Sequence, residues 1–554
     1  MMVSEKTATA LQENRLSCVG VVVGPGTTGV FPIVAASLRA AGVSTVFRVD
    51  AHRPETSRSS PARRLLDLVD RILSRLLPGS SASMANPVPI ASYAALPLEA
   101  LLATMSLNGE PIDALIVIGE TLEDIPTRFL GQAPSLYRIC MGSSGDVESG
   151  QFGLTEVLNQ HPVVMLKFQL LLPYVPAQLL AEMAVQTHVA SATHTCTTLL
   201  ATLPVFLEST LRRIKSTGPY LAVPASPDPV LAPSKLVVNL KVCLRHTSGL
   251  LRAVVDRIGN RFQWLLAVMP QPEQGDVMDW GRLRPLLPPA DRFWADPFIV
   301  SREGRIWLFF EEAPFSSSKG SGIGHISVAA IDSSGFTSPV LRALDLPWHL
   351  SYPNVLEYKG EWYMIPESGS QKRIDLYQCN KWPDQWVHHS TLVDNYQGYD
   401  ASILQVGDCY WMYVARRAPG VSTADLLDLF EAPSPLGPWR LHPSSPIVQD
   451  VRSARPGGRP FPKDGHWLRP AQDSSGGMYG RALRFQRIMQ LDEQGYREQT
   501  EYIIEPNHVE GILGIHTFAA TGDVVVVDLC RQVSRLPLIR RFQSKLPQRM
   551  VLMT

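Results

Sequence analysis

The chain has 554 residues, 51 basic and 51 acidic side chains, and a hydrophobic content of 45%. This length is too great for one hydrophobic core, so we expect two or three domains. The net charge of zero gives no basic field for nucleic acid, which excludes that partner class. Seven scattered cysteines without CxxC spacing indicate a reducing compartment and argue against a disulfide framework or a zinc site.

The first fifteen residues carry charges and no long apolar run, so no secretory signal is predicted. No stretch reaches the roughly 18 apolar residues that a spanning helix needs. These features predict a cytoplasmic protein.

Residues 1–214 are predicted to form an α/β, Rossmann-like domain. A continuous β-branched run at 18–23 is typical of a parallel strand buried on both faces. A glycine loop, an apolar helix at 31–41 and a second strand at 43–49 follow, and another buried strand lies at 113–119. This alternation of strand and helix is typical of a doubly wound layer.

The glycine loop at 24–29 reads G-P-G-T-T-G, which formally matches a dinucleotide-binding pattern. A single match of this kind is weak, and Pro25 removes one N–H donor from the loop. We therefore expect a plain tight turn, no cofactor and no bound metal.

Two segments flank the second half of the chain. Residues 215–261 are predicted to be a proline-rich linker with a connecting strand and helix. Residues 536–554 form a basic tail, whose arginines alternate with apolar side chains. Such a tail is either a helix packed on its own domain or a peripheral contact with a membrane or a lipid-linked substrate.

Residues 262–535 are predicted to form an all-β, five-bladed propeller. Five times, a short polar signature runs into an aromatic, β-branched strand, and the signatures lie about 47 to 69 residues apart, as in propeller blades. The markers are Asp296, Pro353, Asp400, Arg469 and His516. The innermost strand of each blade lines one central funnel, so the signatures are expected to converge. The strand at 262–268 is predicted to close the ring by joining the last blade.

The segment 291–535 resembles the five-bladed propeller found at the front of plant glucosamine inositolphosphorylceramide transferases. The segments that carry the resemblance include Ala295-Asp296-Pro297-Phe298, Ser351-Tyr352-Pro353, Ile365-Pro366-Glu367, Tyr399-Asp400-Ala401-Ser402 and Ala454-Arg455-Pro456-Gly457-Gly458. That propeller is similar in architecture to the arabinanase, xylosidase and invertase glycosidases. The resemblance implies an acid in a blade-one D-P segment and a glutamate further along the funnel.

Residues 1–214 more faintly resemble the formyltransferase fold. The order of Gly153-Leu154-Thr155-Glu156-Val157 and Lys167-Phe168-Gln169-Leu170 carries this resemblance. The family's Asn-x-His pair is missing from residues 140–146 of this chain, and its later Asp is missing from residues 172–176. Formyl transfer lacks its acid/base groups without them, so we expect a degenerate, structural or substrate-capturing domain.

Three acids are the catalytic candidates. Cleavage of a glycosidic bond needs one protonated and one ionised carboxyl group. Asp296 precedes Pro297, which predicts an extended backbone, and it is assigned as the base. Glu367 ends an apolar strand, where burial would raise its pKa as a general acid requires. Asp400 is assigned to orient or tune that acid.

Further side chains are candidates for substrate binding, namely Trp294, Tyr352, Arg469, Gln472, Asp473 and His516. Each has a structural alternative. Trp294 is either a sugar-stacking or a packing surface, and Asp296 and Asp400 could cap turns between blade strands. The Glu311-Glu312 pair is interpreted as rim charges rather than as catalysts.

The sequence leaves three functions open. The first is an enzyme that uses carboxylate acid/base chemistry in the funnel on a glycosyl-bearing or polyhydroxylated substrate, by hydrolysis or transfer. The second is a non-catalytic propeller that recognises substrate beside a transferase-like domain. The third is a biosynthetic tailoring enzyme that transfers an acyl or another group. A small molecule or a glycan is the expected partner.

Overall fold

The computed structural model describes residues 17–23, 27–50, 95–97, 106–107, 110–118, 135–142, 152–171, 177–188, 191–217, 259–272, 277–315 and 322–534. Two compact units divide the chain, one built mainly from residues 1–254 and the other from residues 255–554. The loop at 24–26, most of the predicted linker and the basic tail lie outside the described residues.

The first unit contains a seven-stranded sheet. Its strands, with two short strands β4 and β5 outside it, are β1 (Cys18–Val23), β2 (Thr45–Asp50), β3 (Ala95–Pro97), β4 (Ser106–Leu107), β5 (Glu110–Pro111), β6 (Ala114–Ile118), β7 (Leu136–Met141), β8 (Val163–Leu171) and β9 (Gln178–Gln186). The order is β3-β2-β1-β6-β7-β8-β9. The first five are parallel, and β8 and β9 are antiparallel. Every residue of β1 and β6 is buried, as the apolar runs predict.

Three α-helices accompany this sheet in the described part of the unit: α1 (Phe31–Ala40), α2 (Leu154–Leu158) and α3 (Ala192–Thr217). Helix α1 begins with Pro32 in its first turn, where a missing N–H costs nothing. The sheet is therefore of the α/β kind, and its formyltransferase character stays a prediction. No helix in the described ranges is long and apolar enough to cross a membrane.

The second unit is a five-bladed β-propeller, as the sequence predicts. Blade one contains β12 (Arg292–Arg302), β13 (Arg305–Pro314), β14 (His325–Asp332), β15 (Gly335–Phe336) and β16 (Leu341–Leu344), and blade two contains β17 (Ser351–Tyr358), β18 (Glu361–Glu367), β19 (Ile374–Lys381) and β20 (Gln385–Val393). Blade three contains β21 (Gly398–Val406), β22 (Cys409–Arg416), β23 (Leu426–Ala432), β24 (Arg440–Leu441) and β25 (Val448–Gln449).

Blade four contains β26 (Arg455–Pro456), β27 (Phe461–Lys463), β28 (His466–Asp473), β29 (Ala482–Asp492) and β30 (Gly495–Ile504). Blade five joins the two ends of the propeller, with β10 (Asn260–Pro270) and β11 (Arg284–Leu286) beside β31 (Ile512–Ala520) and β32 (Val524–Ser534). The pairing of β10 with β32 over its whole length confirms the predicted ring closure.

Each interface between neighbouring blades holds its own apolar core. Phe309 of blade one packs with Met364 of blade two, for example, and Leu468 of blade four packs with Val527 of blade five. Similar clusters join blade two to three, three to four, and five to one. Alternate side chains of each strand point to opposite faces of a blade, so one strand supplies apolar groups to two such cores. This packing fixes the inner strands around the axis.

The inner strands of blades one, two, three and five share a β-bulge near their start. The register shifts lie between Ala295 and Phe298, between Ser351 and Asn354, between Tyr399 and Ser402, and between Ile515 and Phe518. A bulge re-aims side chains that would otherwise follow the regular alternation of a strand. The bulged residues of these blades are those of the polar signatures.

Blade four departs from the predicted register. Its first strand is formed by β26 and β27, which both pair with β28. Arg455 therefore begins the innermost strand of this blade, and Arg469 lies on the second strand. The sequence contains two Arg-Pro pairs, Arg455-Pro456 and Arg469-Pro470. The prediction placed the second pair on the inner strand, whereas the first pair lies there.

Candidate functional site

The bulges place two of the three predicted catalytic acids in left-handed backbone. Asp296 has φ 53° and Asp400 has φ 55°. The extended conformation predicted for Asp296 from Pro297 is therefore wrong, because the bulge turns the chain at this residue. A non-glycine residue with positive φ is uncommon, and aspartate tolerates it better than most residues. Such strain is found preferentially at functional sites.

Asp296 is held by blade five. Thr517 Oγ1 donates a 3.0 Å hydrogen bond to Asp296 Oδ1, and His516 Nε2 lies 3.3 Å from the same oxygen. On its other side, His516 Nδ1 lies 2.7 Å from Asp528 Oδ1. Both of these contacts are made to Oδ1 of Asp296.

Asp528 fixes the backbone of both bulges. Its carboxylate accepts hydrogen bonds from the backbone N–H groups of Asp296 (2.9 Å), His516 (3.1 Å) and Thr517 (2.8 Å). Hydrogen bonds from backbone N–H groups favour the ionised form of a carboxyl group. A charged group in the apolar strand β32 thereby joins blade five to blade one.

The pKa values of this group follow from burial and charge pairing. Burial lowers the pKa of His516, but Asp528 and Asp296 outweigh it and raise that pKa to about 10. Burial acts to raise the pKa of Asp296, and the hydrogen bond and charge of His516 bring it below its ordinary value. At neutral pH the group is thus an imidazolium between two carboxylates.

Asp296, His516 and Asp528 each offer one atom to a common point, and these atoms lie within 4.8 Å of one another. Such a set could in principle hold a metal ion. A metal-bound imidazole must be deprotonated, however, and both ring nitrogens already face carboxylates. In this arrangement each ring nitrogen of His516 lies against one of the two carboxylates, so the ring pairs with them across the site.

Asp400 is held by blade four. Arg455 donates to both of its oxygens, from Nε at 2.6 Å and from Nη2 at 3.3 Å, and Gln472 Nε2 donates at 2.8 Å. Thr423 Oγ1 accepts from Arg455 Nη1 at 2.7 Å. Burial raises the pKa of Asp400, and Arg455 opposes that rise. Gln472 therefore contacts the candidate catalytic group directly, in the way expected of a site residue.

Glu367 lies at the end of β18 and faces the same group of charges. Burial, and after it the charge of Asp400, raises the pKa of Glu367 to about 7. Ser351 Oγ donates to its Oε2 at 2.9 Å, and the backbone N–H of Gly369 donates to its Oε1 at 2.5 Å. A carboxyl group with a pKa near neutrality can give up and recover a proton under ordinary conditions.

Glu311 and Glu312 are not rim charges. Both are buried, with 6% and 7% of their surface exposed. Glu312 is held by Arg292 Nη1 at 2.5 Å and by Ser327 Oγ at 2.8 Å. Glu311 faces the opposite way and joins the funnel acids, since the charges of Asp296, Glu367 and Asp400 all act on it. The prediction failed because the two carboxylates were treated as one exposed pair.

Aromatic rings border the charged group. The ring of Trp264 lies 4.0 Å from that of His516, and the ring of Tyr479 lies 5.2 Å from it. The guanidinium of Arg455 lies 5.1 Å from the ring centre of Tyr479 and 5.6 Å from that of Tyr399. Tyr479 is 43% exposed, so it offers an accessible ring beside the buried charges.

Four other predicted binding residues have different surroundings. Trp294 packs between Phe310 and Phe336 in the core that joins blades five and one. Tyr352 is completely buried, and its hydroxyl bonds Ser402 and the backbone of Gly458. Arg469 and Asp473 pair with residues of blade four. The partner of Arg469 is Glu498, and the partners of Asp473 are Ser475 and Arg484.

Three important residues were missed. Arg455 lies in one of the segments that carry the family resemblance, but the sequence analysis predicted Arg469 as the funnel arginine of blade four. Asp528 interrupts the apolar run of β32, and an isolated acid in such a run is a signal for a buried ion pair. Glu311 follows the apolar end of β13, much as Glu367 follows the apolar end of β18.

A separate cavity of about 430 Å³ lies further along the inner strands. Ser301, Glu357 and Gln405, which come several residues after the bulges of blades one, two and three, line it together with Arg459 of blade four. None of the funnel acids borders this cavity. The charged group and the cavity are therefore two different features of the propeller.

Comparisons with known proteins find similar sequences for the propeller region. Residues 288–510 match the family model described as Glucosamine inositolphosphorylceramide transferase 1, N-terminal. The protein named Glucosamine inositolphosphorylceramide transferase 1 from Oryza sativa subsp. japonica is 37% identical over 210 residues, which are 37% of this chain. The protein of that name from Arabidopsis thaliana is 35% identical over 211 residues. The matched region spans 27% of the length of each of these relatives.

Solved glycosidase structures are also similar. Zg3597, a family 117 glycoside hydrolase of Zobellia galactanivorans, is 12% identical with a TM-score of 0.32, and the match covers 49% of this chain and 90% of that one. The RS223 β-xylosidase is 16% identical with a TM-score of 0.34, covering 43% and 84% of the two chains. The formyltransferase resemblance of residues 1–214 gains no support from the comparisons. Within the propeller, residues 288–510 are thus similar to the region described as the N-terminal part of glucosamine inositolphosphorylceramide transferase 1.

Proposed function

We propose that the propeller funnel is an active site that acts on a glycosyl-bearing substrate by carboxylate acid/base chemistry. One observation carries this proposal. Asp296, Glu367 and Asp400 come from three different blades and are far apart in sequence, yet each lies at the bulge of an inner strand or, for Glu367, directly opposite Ser351 at such a bulge. A propeller has no structural need for buried acids at one point, because its stability comes from the apolar cores between the blades.

The two catalytic roles follow from the surroundings of each acid. His516 and Thr517 hold Asp296 as a carboxylate, which suits a base. Glu367 has a pKa of about 7 and can be protonated near neutrality, which suits an acid. Two carboxyl groups whose environments push their pKa values apart are the pattern that glycosidic chemistry requires.

In the proposed reaction, the nucleophile is a hydroxyl group or a water molecule. Asp296 takes a proton from this nucleophile as the nucleophile's oxygen bonds to the anomeric carbon. Glu367 gives its proton to the departing oxygen as the old glycosidic bond breaks. Asp400 is clamped by Arg455 and Gln472, and it keeps a negative charge near Glu367 that raises the pKa of that acid. If the nucleophile is a hydroxyl group of an acceptor, the reaction is transfer, and if it is water, the reaction is hydrolysis.

The relatives bear the name of a transferase for glucosamine and inositolphosphorylceramide, which favours a sugar as the transferred or recognised group. The matched region is only part of those proteins, so a recognition role for the propeller is the second candidate. The clamping of Asp400 by Arg455 and Gln472 favours that candidate, because such a clamp also suits a fixed binding surface.

A panel of aryl glycosides and sugar-nucleotide donors, each offered with and without acceptor sugars, tests the proposal. We expect turnover of at least one compound by the full chain and its loss in Asp296→Asn. The exposed Asp332, which is also in blade one, provides the matched control Asp332→Asn, which should retain turnover. Binding of a sugar without turnover, equal in the parent and in Asp296→Asn, would favour the recognition role instead.

A further inference from the structure

Glu311 lies beside the blade-one bulge. It is on β13, opposite Ala295, so its strand places it next to Asp296. The negative charges of Asp296, Glu367 and Asp400 and the positive charge of His516 act on it. Tyr479 is also within its electrostatic reach, and His349 contacts it directly.

The charges of this group do not balance if every acid is ionised. Five carboxyl groups, those of Asp296, Glu311, Glu367, Asp400 and Asp528, share two cations in the described part of the chain, Arg455 and His516. Close carboxylates in a buried site cannot all be ionised, and one or more of them keeps a proton. The hydrogen bonds indicate which one.

Four of the five acids accept two or more hydrogen bonds or ion-pair contacts, which favour their ionised forms. The donors are the side chains of Thr517 and His516 for Asp296, those of Arg455 and Gln472 for Asp400, the Ser351 hydroxyl and the Gly369 backbone N–H for Glu367, and the backbone N–H groups at the bulges for Asp528. Glu311 has one such contact in the described ranges, to His349 Nε2, which lies 3.3 Å from its Oε1.

His349 is fixed in one neutral form. The backbone N–H of Gly324 donates a 3.1 Å hydrogen bond to His349 Nδ1. That nitrogen must therefore be the acceptor, and Nε2, which lies 3.3 Å from Glu311 Oε1, carries the ring hydrogen. A side chain at 324 would not fit, because its Cβ would lie 2.7 Å from His349 Cε1 and 2.9 Å from Glu311 Oε1.

We propose that Glu311 is kept as a neutral carboxylic acid in the funnel, that His349 positions it through Oε1, and that its O–H group donates a hydrogen bond to an oxygen of the bound glycosyl group. The last part rests on the proposed function, and the first two parts do not. The direction of its titration agrees, since burial, followed by the charges of Asp296 and Glu367, raises the pKa of Glu311 well above its ordinary value. It is a second proton-bearing carboxyl group beside Glu367.

Infrared difference spectroscopy of the full chain tests the protonation directly. The carbonyl stretch of a protonated carboxyl group is absent from a carboxylate. We expect one such band to persist above about pH 7, where Glu367 ionises, and to disappear in Glu311→Gln. It should remain in Glu361→Gln, because Glu361 is an exposed glutamate of blade two. A persistent band of equal size in the parent and in Glu311→Gln would overturn the proposal.

The half-exposed His349 gives a second variant that leaves the buried acid in place. We expect His349→Ala to shift the frequency of the Glu311 band, because the polar contact to Oε1 is lost, and His349→Gln to restore much of it with an amide group. An unshifted band in His349→Ala would refute the positioning role, even if Glu311→Gln did not fold.

Kinetics then test the contact with substrate. Glu311→Gln replaces the O–H donor by an amide N–H donor without adding or removing a charge, so the decline of turnover with rising pH should stay in place. Glu311→Leu removes the donor and should raise KM about tenfold, the effect of losing one hydrogen bond. A shift of the pH profile in Glu311→Gln would mean that Glu311 is charged in the parent. A persistent band without any glycoside turnover would contradict the proposed function and leave the protonated acid intact.

Discussion

His516 Nδ1 lies 2.7 Å from Oδ1 of Asp528, and this pair connects the last strand of the propeller to the bulged strands on either side of it. Asp528 also accepts hydrogen bonds from the backbone N–H groups of Asp296 and Thr517. A single carboxylate thus fixes the position of the candidate base and the charge of the histidine that contacts it. Both functions can be tested by removing the charge while keeping the shape.

Asp528→Asn should destabilise the propeller by about 3 kcal/mol, because removing one partner of a buried ion pair leaves the other charge poorly compensated. Urea unfolding of the full chain measures this change. The exposed Asp523, in the turn that precedes the same strand, provides the control Asp523→Asn, which should unfold with the parent. An Asp528→Asn midpoint equal to the parent's would show that the pair does not stabilise the fold.

The stability of the propeller should fall as pH rises between about 6.5 and about 10. The folded-state pKa of His516 is raised to about 10, above the ordinary value of 6.5. The stabilisation is complete below the unfolded-state value and is lost as pH rises through the folded one, with a slope of up to about 1.4 kcal/mol per pH unit. Urea midpoints measured across this range test the slope. His516→Gln should flatten it, and an equally steep decline in that variant would contradict the assignment.

Much of the propeller was predictable from the sequence. Apolar, β-branched strands recur at blade-like spacing, and the polar signatures precede them, because each blade must bury both of its faces. Asp296 and Asp400 were found in this way, and both lie at the bulge near the start of an inner strand. Gln472 was found beside Arg469, but it lies on the second strand of blade four, opposite Arg455.

The failures have a physical cause as well. Arg469 and Arg455 both precede proline in β-rich segments, and only strand pairing shows which of the two begins the inner strand. Glu311 and Asp528 lie on second strands, where side-chain direction depends on the register of the bulge opposite them. A shift of one residue exchanges the two faces of a strand, and sequence periodicity does not reveal where that shift occurs.

Asp296→Asn should impair turnover of every glycoside, whatever its leaving group, because each reaction needs an activated nucleophile. We expect a decrease of roughly 10²–10⁴-fold, the usual contribution of a general base. Initial rates on a reactive aryl glycoside and on an unactivated one measure it. If the reactive substrate keeps its parent rate while the unactivated one slows, Asp296 would be acting on the leaving group instead of on the nucleophile.

Glu367→Gln should separate the two kinds of substrate. Glutamine keeps the shape of the side chain but has no proton to give, so unactivated glycosides should slow by roughly 10²–10⁴-fold. Reactive aryl glycosides need little protonation and should slow much less. In the parent, turnover of unactivated substrates should decline as pH rises through about 7, where Glu367 loses its proton, and this decline should be missing from the variant.

Glu361 lies at the other end of the same strand and is exposed, so Glu361→Gln is the matched control and should keep both the rate and the pH profile. If Glu367→Gln turned over unactivated substrates at the parent rate, Glu367 would be a strand-end residue only, and the recognition role of the propeller would gain.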